Sequence, residues 1–269
     1  MHVGKELRLR RFFRKGRAVI VPMDHSLYHG PLGGLEDPSR LVEVISKTEV
    51  DGIIVSPGIL DKVAGVAGDL AIILRIDGTH TKLGSHLERI DLITTVEHAV
   101  SVGADMVVVE AFCGADNEDE LLQKLGFTAT ECFKWGLPLM GEMIPVSQLK
   151  DQFGKEKASG HNINEDIKLS VRVGAEAGAD VIKTRYSGTI EGFKEVTATA
   201  TAPVVIAGGP KAENDSDFLH MIKDCIEAGA AGICMGRNIW GRKNPKGMLE
   251  ALCAIVHEDA EVKSVVGLL

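Results

Sequence analysis

The chain has 269 residues and a formal net charge of −8 at pH 7. Its hydrophobic content of 45% and charged content of 25% are typical of a globular domain and argue against wholesale disorder. The acidic charge disfavours sequence-independent binding of nucleic acid, and no apolar run reaches the ~18 residues that a membrane helix needs. We therefore expect neither a nucleic-acid partner nor a membrane partner.

The N-terminal segment, about residues 1–15, is rich in Lys and Arg and is predicted to form a short basic helix. The apolar stretch of a secretory signal does not follow it. The 5 cysteines are widely spaced and include no Cys-x-x-Cys pair. This pattern predicts reduced, mostly buried thiols in a cytoplasmic protein, and it argues against a disulfide framework or a zinc site.

Short apolar runs and segments of helical periodicity alternate along the chain, in the manner of a parallel sheet covered by helices. The predicted strands are 18–23, 53–55, 71–76, 106–109, 137–140, 181–182, 203–207 and 233–235. Helical periodicity is found at 41–45, 87–102, 119–135, 167–177 and 218–228. Glycines precede several strands, and each is placed to end a helix in the left-handed conformation: Gly52, Gly103, Gly178 and Gly229.

Eight such strands in a chain of this length predict a single (β/α)8 barrel spanning residues 1–269. The basic N-terminal helix would close the bottom of this barrel or mediate assembly. A doubly wound open sheet is the structural alternative, but no Gly-x-Gly-x-x-Gly follows the first strand. The polar stretch 147–165 after the fifth strand is either a lid or binding loop, or a surface excursion.

The chemistry of a (β/α)8 enzyme lies at the C-terminal ends of its strands. Polar, charged and glycine residues follow the apolar runs at these ends, and we take them as the candidate site: Asp24, His25, Asp77, Glu110, Glu142, Lys183, Gly208, Gly209, Gly236 and Arg237.

Lys183 is the sharpest candidate among these residues. Lysine is costly to bury, and a partly desolvated ammonium has a lowered pKa that favours Schiff-base formation with a ketone. The alternative is a lysine paired with Asp24 or Glu142 purely for structure. Asp24 is a candidate for proton transfer, and His25 either shares that task or holds Asp24 in place.

Gly208 and Gly209 follow strand seven, and Gly236 and Arg237 follow strand eight, which is the usual phosphate corner of this fold. A helix starting near residue 238 would add its N-terminus, and Arg237 a bidentate contact. Arg185 would bind a second anion, balance Asp77 and Glu110, or face solvent.

Carboxylates converging on one barrel mouth also suit Mg²⁺. However, Lys183 would repel a metal ion, and the sequence has no histidine trio for zinc. We therefore expect neither a metal nor another cofactor, and we keep a metal-dependent lyase as an alternative.

Four segments together resemble the archaeal-type class I aldolases, namely 19–25 (VIVPMDH), 179–184, 203–211 and 235–239. That group contains fructose-bisphosphate aldolase and 2-amino-3,7-dideoxy-D-threo-hept-6-ulosonate synthase, and the synthase is the member that this sequence resembles most. The resemblance implies a Schiff base on Lys183, acid/base chemistry at Asp24, a phosphorylated ketose donor with an aldehyde acceptor, and a cytoplasmic homo-oligomer, commonly a decamer.

One departure from the family pattern concerns the proton donor. These aldolases carry a tyrosine in a Met-Tyr-Pro context after strand five, and here Ile144 stands at that position. Glu142 lies two residues earlier, on the same face of an extended strand, and would replace the tyrosine if burial raises its pKa. Asp77, Glu110 and Arg185 are further candidate substrate contacts, and the acidic mouth favours an amino-bearing or polyhydroxyl substrate.

A related thiolase, which processes a phosphorylated autoinducer, also lacks this tyrosine. The resemblance therefore leaves three hypotheses: a Schiff-base aldolase or transferase, a coenzyme A-dependent thiolase, and a sugar-phosphate binder that has lost catalysis.

Overall fold

The computed structural model describes residues 2–84, 89–149 and 162–269. Its eight strands are all parallel and close into a barrel in which each strand pairs with its sequence neighbours and β8 returns to β1. The predicted (β/α)8 barrel is therefore confirmed. The strands are β1 (Ala18–Pro22), β2 (Gly52–Val55), β3 (Ala71–Arg75), β4 (Met106–Cys113), β5 (Leu139–Pro145), β6 (Val181–Arg185), β7 (Val204–Ala207) and β8 (Gly232–Cys234).

Helices cover the outside of the barrel and fill the connections between strands. They are α1 (Val3–Phe12), α2 (Ser26–His29), α3 (Pro38–Ile45), α4 (Pro57–Val63), α5 (Val96–Ser101), α6 (Glu118–Trp135), α7 (Ile163–Glu176), α8 (Ile190–Thr199), α9 (Asp215–Glu227), α10 (Arg237–Trp240), α11 (Pro245–Glu258) and α12 (Val262–Val265). Among the helices of the described ranges, none combines the length and apolar content required to cross a bilayer.

Two predicted segments differ from the structure. The helix predicted at 87–102 begins only at Val96, because Thr95 caps it by accepting a hydrogen bond from the His98 amide. Part of that segment, 87–88, lies outside the described residues. Within the predicted loop 147–165, a 3-10 turn covers Val146–Gln148 and α7 begins at Ile163. Residues 150–161 lie outside the described residues, so the lid remains a prediction.

The glycines before the strands act in two ways. Gly103, Gly178 and Gly229 have positive φ angles of 80°, 102° and 92°, as predicted for left-handed helix ends. Gly52 does not, and instead begins β2. A Cβ atom there would lie 2.6 Å from the Ala71 carbonyl oxygen and 2.8 Å from the Phe12 ring. Close packing at the N-terminal end of the barrel, called the floor below, therefore requires Gly52. The prediction that Gly52 ends a helix in the left-handed conformation is wrong.

α1 lies across the N-terminal end of the barrel. Its Phe12 is fully buried among the inward-facing apolar residues of the strands. Its basic residues pair with aspartates that directly precede even-numbered strands: Lys5 with Asp180 at 2.8 Å, Arg11 with Asp105 at 2.6 Å, and Arg14 of the following turn with Asp51 at 3.7 Å. The same aspartates also accept backbone N–H groups from Leu139, Ile72 and Val19.

Inward-facing positions recur every second residue along each strand. Apolar residues of the inner core, such as Ile73, Met140 and Val181, are each followed two residues later by a charged residue. β4 and β5 extend beyond their predicted ends, to Cys113 and Pro145, and the register pairs Glu110 with Glu142 and Glu142 with Lys183. One layer of charged side chains therefore lies directly above the apolar core.

Candidate active site

A cavity of about 280 Å³ opens at the C-terminal end of the strands, above the charged layer. The structure brings nearly all of the predicted site residues together around it. Those lining the cavity are Asp24, His25, Glu110, Glu142, Lys183, Arg185, Gly208, Gly209, Gly236 and Arg237.

Lys183 stands on β6 with its side chain turned into the barrel, and only 4% of the residue is exposed. Its Nζ atom lies 2.6 Å from Glu142 Oε1. Burial disfavours the ammonium, but the charges of Glu142 and Asp24 outweigh burial and hold the pKa of Lys183 above its usual range. The expectation of a lowered pKa is therefore wrong for the resting site, because that expectation considered desolvation without this ion pair.

Glu142 holds two cations at once. Its Oε1 atom faces Lys183, and its Oε2 atom lies 2.5 Å from Arg75 Nη2. Burial raises the pKa of this carboxyl group, but the charges of Lys183 and Arg75 lower it by more than burial raises it. The net shift of the pKa is therefore downward. Glu142 is therefore ionised at rest. It is placed to accept the Lys183 proton, and the condition set for it as a replacement proton donor, a raised pKa, is not met.

Arg75 is the central cation of the site, and the sequence analysis missed it. Its guanidinium is fully buried and donates from Nε to Asp24 at 2.8 Å, from Nη1 to Asp77 at 3.1 Å and from Nη2 to Glu142. Arg75 lies within the segment 71–76, which the sequence analysis treats as one apolar strand. The signal that reveals it is the two-residue period, since Arg75 follows the inward-facing Ile73.

Asp77 is fully buried and does not line the cavity. Besides Arg75, it accepts hydrogen bonds from Lys124 Nζ at 2.7 Å and from the Glu110 backbone N–H at 2.7 Å. Lys124 is a buried lysine of α6 that also donates to the Ile90 and Glu110 carbonyl oxygens. Asp77 therefore joins Arg75 to the wall of the barrel, and the predicted substrate contact is corrected to a supporting role.

Asp24 follows β1 and is 3% exposed. Burial raises the pKa of its carboxyl group, but Arg75 and His25 dominate and hold it well below the usual range. His25 Nδ1 lies 3.4 Å from Asp24 Oδ1, and the His25 ring packs edge-on against Trp240, with ring centroids 5.5 Å apart. Asp24 is thus a fixed carboxylate at the cavity, and His25 is oriented by aromatic packing.

Glu110 lies on β4 next to Glu142 and lines the cavity. Among the described residues, the Glu110 carboxyl group forms no ion pair with a Lys, Arg or His side chain, whereas Asp24 and Glu142 each contact Arg75. Burial, together with the charges of Glu142 and Asp77, raises the pKa of Glu110 to about 8. Neighbouring carboxyl groups of one cavity therefore hold opposite protonation states near neutral pH.

The predicted phosphate corner consists of glycine backbone and two arginines, Arg185 and Arg237. Gly209 has a φ angle of 61°, and a Cβ atom there would meet nothing within 4 Å, so the backbone faces open space. Arg237 begins α10, one residue earlier than expected, and its Nε atom is buried without a hydrogen-bond partner in the described part of the chain. Burial and the charge of Arg185 lower the pKa of Arg237. The corner has cationic capacity that an anion would satisfy.

The comparisons with known proteins agree with this geometry. Residues 18–242 match the DeoC/LacD family aldolase. The chain belongs to this family. It is 33% identical to a 2-amino-3,7-dideoxy-D-threo-hept-6-ulosonate synthase of Archaeoglobus fulgidus, over 98% of this chain and 95% of the relative.

Two solved structures extend this result. An archaeal fructose 1,6-bisphosphate aldolase superposes with a TM-score of 0.85 at 29% identity, covering 95% of this chain and 99% of the other. A Schiff base-forming fructose-1,6-bisphosphate aldolase superposes with a TM-score of 0.83 at 30% identity, covering 94% and 99%. The protein is therefore a class I aldolase, and the hypothesis of a non-catalytic binder is set aside.

Two further features distinguish the cavity of this aldolase. Ile144, where the resemblance leads us to expect a tyrosine, lines it and offers no proton. Tyr28 also lines it, with a buried hydroxyl that has no hydrogen-bond partner among the described residues. Tyr28 stands between the Arg75 guanidinium, 5.9 Å from its ring centroid, and the stacked His80 ring at 4.8 Å. The sequence analysis missed Tyr28 because it lies on the short helix after β1, where no periodicity distinguishes it.

Asn238 holds the turn that forms part of the predicted phosphate corner. The side chain is buried and donates from Nδ2 to the carbonyl oxygens of Gly208 at 3.2 Å and Pro210 at 3.0 Å. It also accepts a hydrogen bond from the Ala212 amide. These bonds fix the turn after β7. In the described residues, no cluster of three or more His, Cys, Asp or Glu side chains is arranged to hold a metal ion.

Proposed function

We propose that Lys183 is the residue that forms the Schiff base, acting on the carbonyl carbon of a phosphorylated ketose-type donor. The observation that carries this proposal is the buried Lys183 side chain that lines the cavity, with its Nζ atom 2.6 Å from Glu142 Oε1. Attack requires the free amine, and the ionised Glu142 is within hydrogen-bond reach of the proton to be removed.

Asp24 is proposed as the acid/base residue of carbinolamine formation and dehydration. It lies in the same cavity and is held as a carboxylate by Arg75, 2.8 Å away. His25 acts as a positioning residue through its contact with Asp24. A fixed geometry of this kind makes proton transfer effective, because the groups need not reorganise during the reaction.

The donor's phosphate is assigned to the backbone of Gly208, Gly209 and Gly236 together with Arg237. Arg185 lines the same cavity, and its Nη1 atom donates to the Gln148 carbonyl oxygen at 2.7 Å. That bond leaves the remaining guanidinium N–H groups for a second anionic contact. The relatives named for fructose 1,6-bisphosphate and for the heptulosonate support a phosphorylated ketose with an aldehyde partner.

The deciding experiment is borohydride trapping with dihydroxyacetone phosphate and fructose 1,6-bisphosphate, followed by peptide mass spectrometry. An adduct on Lys183 is expected, and it should vanish in Lys183→Ala. The matched control is Lys62→Ala on the exposed face of α4, which should trap like the parent protein. Undiminished turnover in Lys183→Ala would overturn the proposal.

Coenzyme A-dependent acyl transfer is a second candidate, and Ile144 is the observation that favours it. A thiolase needs no tyrosine at this position if coenzyme A accepts the acyl group. Product formation that depends on added coenzyme A would select this reaction, and retro-aldol cleavage without coenzyme A would exclude it as the sole activity.

Self-association completes the proposal. Large apolar side chains are exposed on the barrel surface, at 70% for Phe127, 62% for Phe133 and 57% for Leu169. We propose that these side chains lie in an interface with another copy of the chain, where their apolar surface is removed from water. Light scattering coupled to size-exclusion chromatography should give a mass above 28.8 kDa, and a monomer would contradict this part of the proposal.

A further inference from the structure

A reaction through the Schiff base proposed on Lys183 must also deliver a proton to carbon, and the assignment of that proton rests on the proposed function. Cleavage of a ketose iminium leaves an enamine, whose carbon must gain a proton before the product is released. Ile144 cannot supply it, so another group lining the cavity must do so.

The carboxyl groups nearest Lys183 are already committed. Glu142 uses its two oxygens for Lys183 at 2.6 Å and Arg75 at 2.5 Å. Asp24 directs Oδ2 to Arg75 at 2.8 Å and Oδ1 toward His25 at 3.4 Å. Both are held in the ionised form by cations, so neither carries a proton to donate at rest.

Glu110 differs from both in its surroundings. Its Cα is the register partner of Glu142, which in turn is the partner of Lys183, so Glu110 is two strands from the amine on the same inward face. Its backbone is fixed at both polar groups, by Asp77 at 2.7 Å and by Lys124 at 2.9 Å. Its carboxyl group lacks a salt-bridge partner within the described ranges, and it faces the cavity.

The titratable groups that face Glu110 lie on several neighbouring elements: Tyr28 of α2, Arg75 and Asp77 of β3 and its end, Lys124 of α6, Glu142 of β5, and Lys183 and Arg185 of β6. Burial and the two other carboxylates favour its neutral form. A substrate with a charged amino group next to Glu110 would be repelled by the positive charges of Arg75, Lys183 and Arg185. A polyhydroxyl substrate carries no charge at this position and is not repelled.

We propose that Glu110 is the acid/base residue that exchanges a proton with the carbon next to the Schiff base, in place of the family's tyrosine. In the cleavage direction the enamine electron pair forms the new C–H bond with the carboxyl proton. The O–H bond breaks, its electron pair stays on Glu110, and the iminium re-forms on Lys183. In synthesis the carboxylate removes the same proton.

The test is solvent exchange of the carbon-bound hydrogen of dihydroxyacetone phosphate in D₂O, followed by proton NMR. Glu110→Gln should slow exchange by at least about 100-fold, the lower range for loss of a general acid or base. Borohydride trapping on Lys183 should persist in this variant. Glu97→Gln, an identical change on the exposed face of α5, should exchange like the parent protein.

Two further variants sharpen the result. Ile144→Tyr in the Glu110→Gln background should restore part of the exchange, since it returns the family's donor to the cavity. Tyr28→Phe tests the other protic group without a partner in the described residues, and a loss of exchange as large as that in Glu110→Gln would assign the proton to Tyr28 and overturn the role of Glu110. If Glu110→Gln still gives the Lys183 adduct and exchanges the carbon-bound hydrogen as fast as the parent, the role of Glu110 is overturned and the proposed Schiff base is not affected. Absence of any adduct in the parent protein would instead overturn the proposed function, and the present inference with it.

Discussion

Two buried lysines, one at each end of the barrel, have nearly the same exposure and different surroundings. Lys5 is 5% exposed at the floor and pairs with Asp180 at 2.8 Å, and Lys183 is 4% exposed at the mouth and pairs with Glu142 at 2.6 Å. Asp180 also accepts a backbone N–H, from Leu139. Glu142 instead contacts two cations, Lys183 and Arg75, and lines a cavity.

The buried charged groups at the two ends of the barrel also differ in their partners. Each of the aspartates Asp51, Asp105 and Asp180 at the N-terminal end contacts a basic side chain and accepts one backbone amide, and Asp51 also lies 3.2 Å from His257 Nε2. At the mouth, the Tyr28 hydroxyl and Arg237 Nε are buried without partners in the described residues. Buried polar groups are normally satisfied, so such exceptions indicate where a ligand belongs. Similar ion pairs thus stabilise the fold at one end and prepare chemistry at the other.

The largest expected effect separates the two lysines. Lys183→Met should lower turnover by at least about 1,000-fold, the scale for loss of a covalent nucleophile. Lys5→Met should leave turnover within a few-fold and lower the free energy of unfolding instead, because it leaves Asp180 without its cation. Steady-state kinetics and urea unfolding of both variants check this. Equal loss of turnover in both would contradict a division of labour between the two ends.

The second effect concerns Arg75, which balances three carboxylates at the mouth. Arg75→Met should lower the free energy of unfolding at pH 7 by about 3–5 kcal/mol, the usual cost of breaking a buried ion pair by removing one partner. The loss should shrink at mildly acidic pH, where the abandoned carboxyl groups take up protons. Urea denaturation at pH 5 and pH 7 measures it, and a pH-independent loss would contradict the electrostatic cause.

Much of this architecture can be predicted from sequence, because each strand is a short apolar run and most mouth residues directly follow one. The site prediction found Glu110 and Glu142 but missed Arg75, and the strand prediction ended β4 and β5 too early. Arg75 ends β3, and Glu110 and Glu142 lie inside strands that continue to Cys113 and Pro145. Protonation states were beyond reach, since the direction of the Lys183 shift depends on a 2.6 Å contact between different strands.

The third effect is a stability change with a defined sign. Folding raises the pKa of Glu110 from an ordinary 4.5 to about 8. The folded state therefore binds more protons than the unfolded state between these values, and stability falls as pH rises through that window. Glu110→Gln removes this penalty, and should raise the free energy of unfolding relative to the parent by an amount that grows from pH 5 to pH 8.

Urea unfolding of Glu110→Gln and the parent at pH 5 and pH 8 provides the measurement, with Glu97→Gln as the surface control. The advantage of Glu110→Gln should be small at pH 5 and largest at pH 8. A variant less stable than the parent at pH 8 would show that the carboxyl group is stabilised as an anion, contrary to its position beside Glu142 and Asp77.

The fourth effect tests the phosphate corner. Arg237→Ala should raise KM for a phosphorylated ketose by about 10- to 100-fold, the range of a charge-assisted hydrogen bond. KM for the corresponding unphosphorylated ketose should change little. Because burial and Arg185 both oppose the charge of Arg237, this variant should not lose stability. A similar KM increase for both substrates would place the phosphate elsewhere.

The smallest expected effect on stability concerns an ion pair at the floor of the barrel. Arg11 pairs with Asp105 at 2.6 Å, but 48% of the Arg11 side chain is exposed. Solvent screening limits such a pair, so Arg11→Ala should lower the free energy of unfolding by no more than about 1 kcal/mol. Turnover should be unchanged. A loss comparable with that of Arg75→Met would mean that the floor pairs are as critical as the buried network at the mouth, and the contrast between the two ends would then rest on the cavity alone.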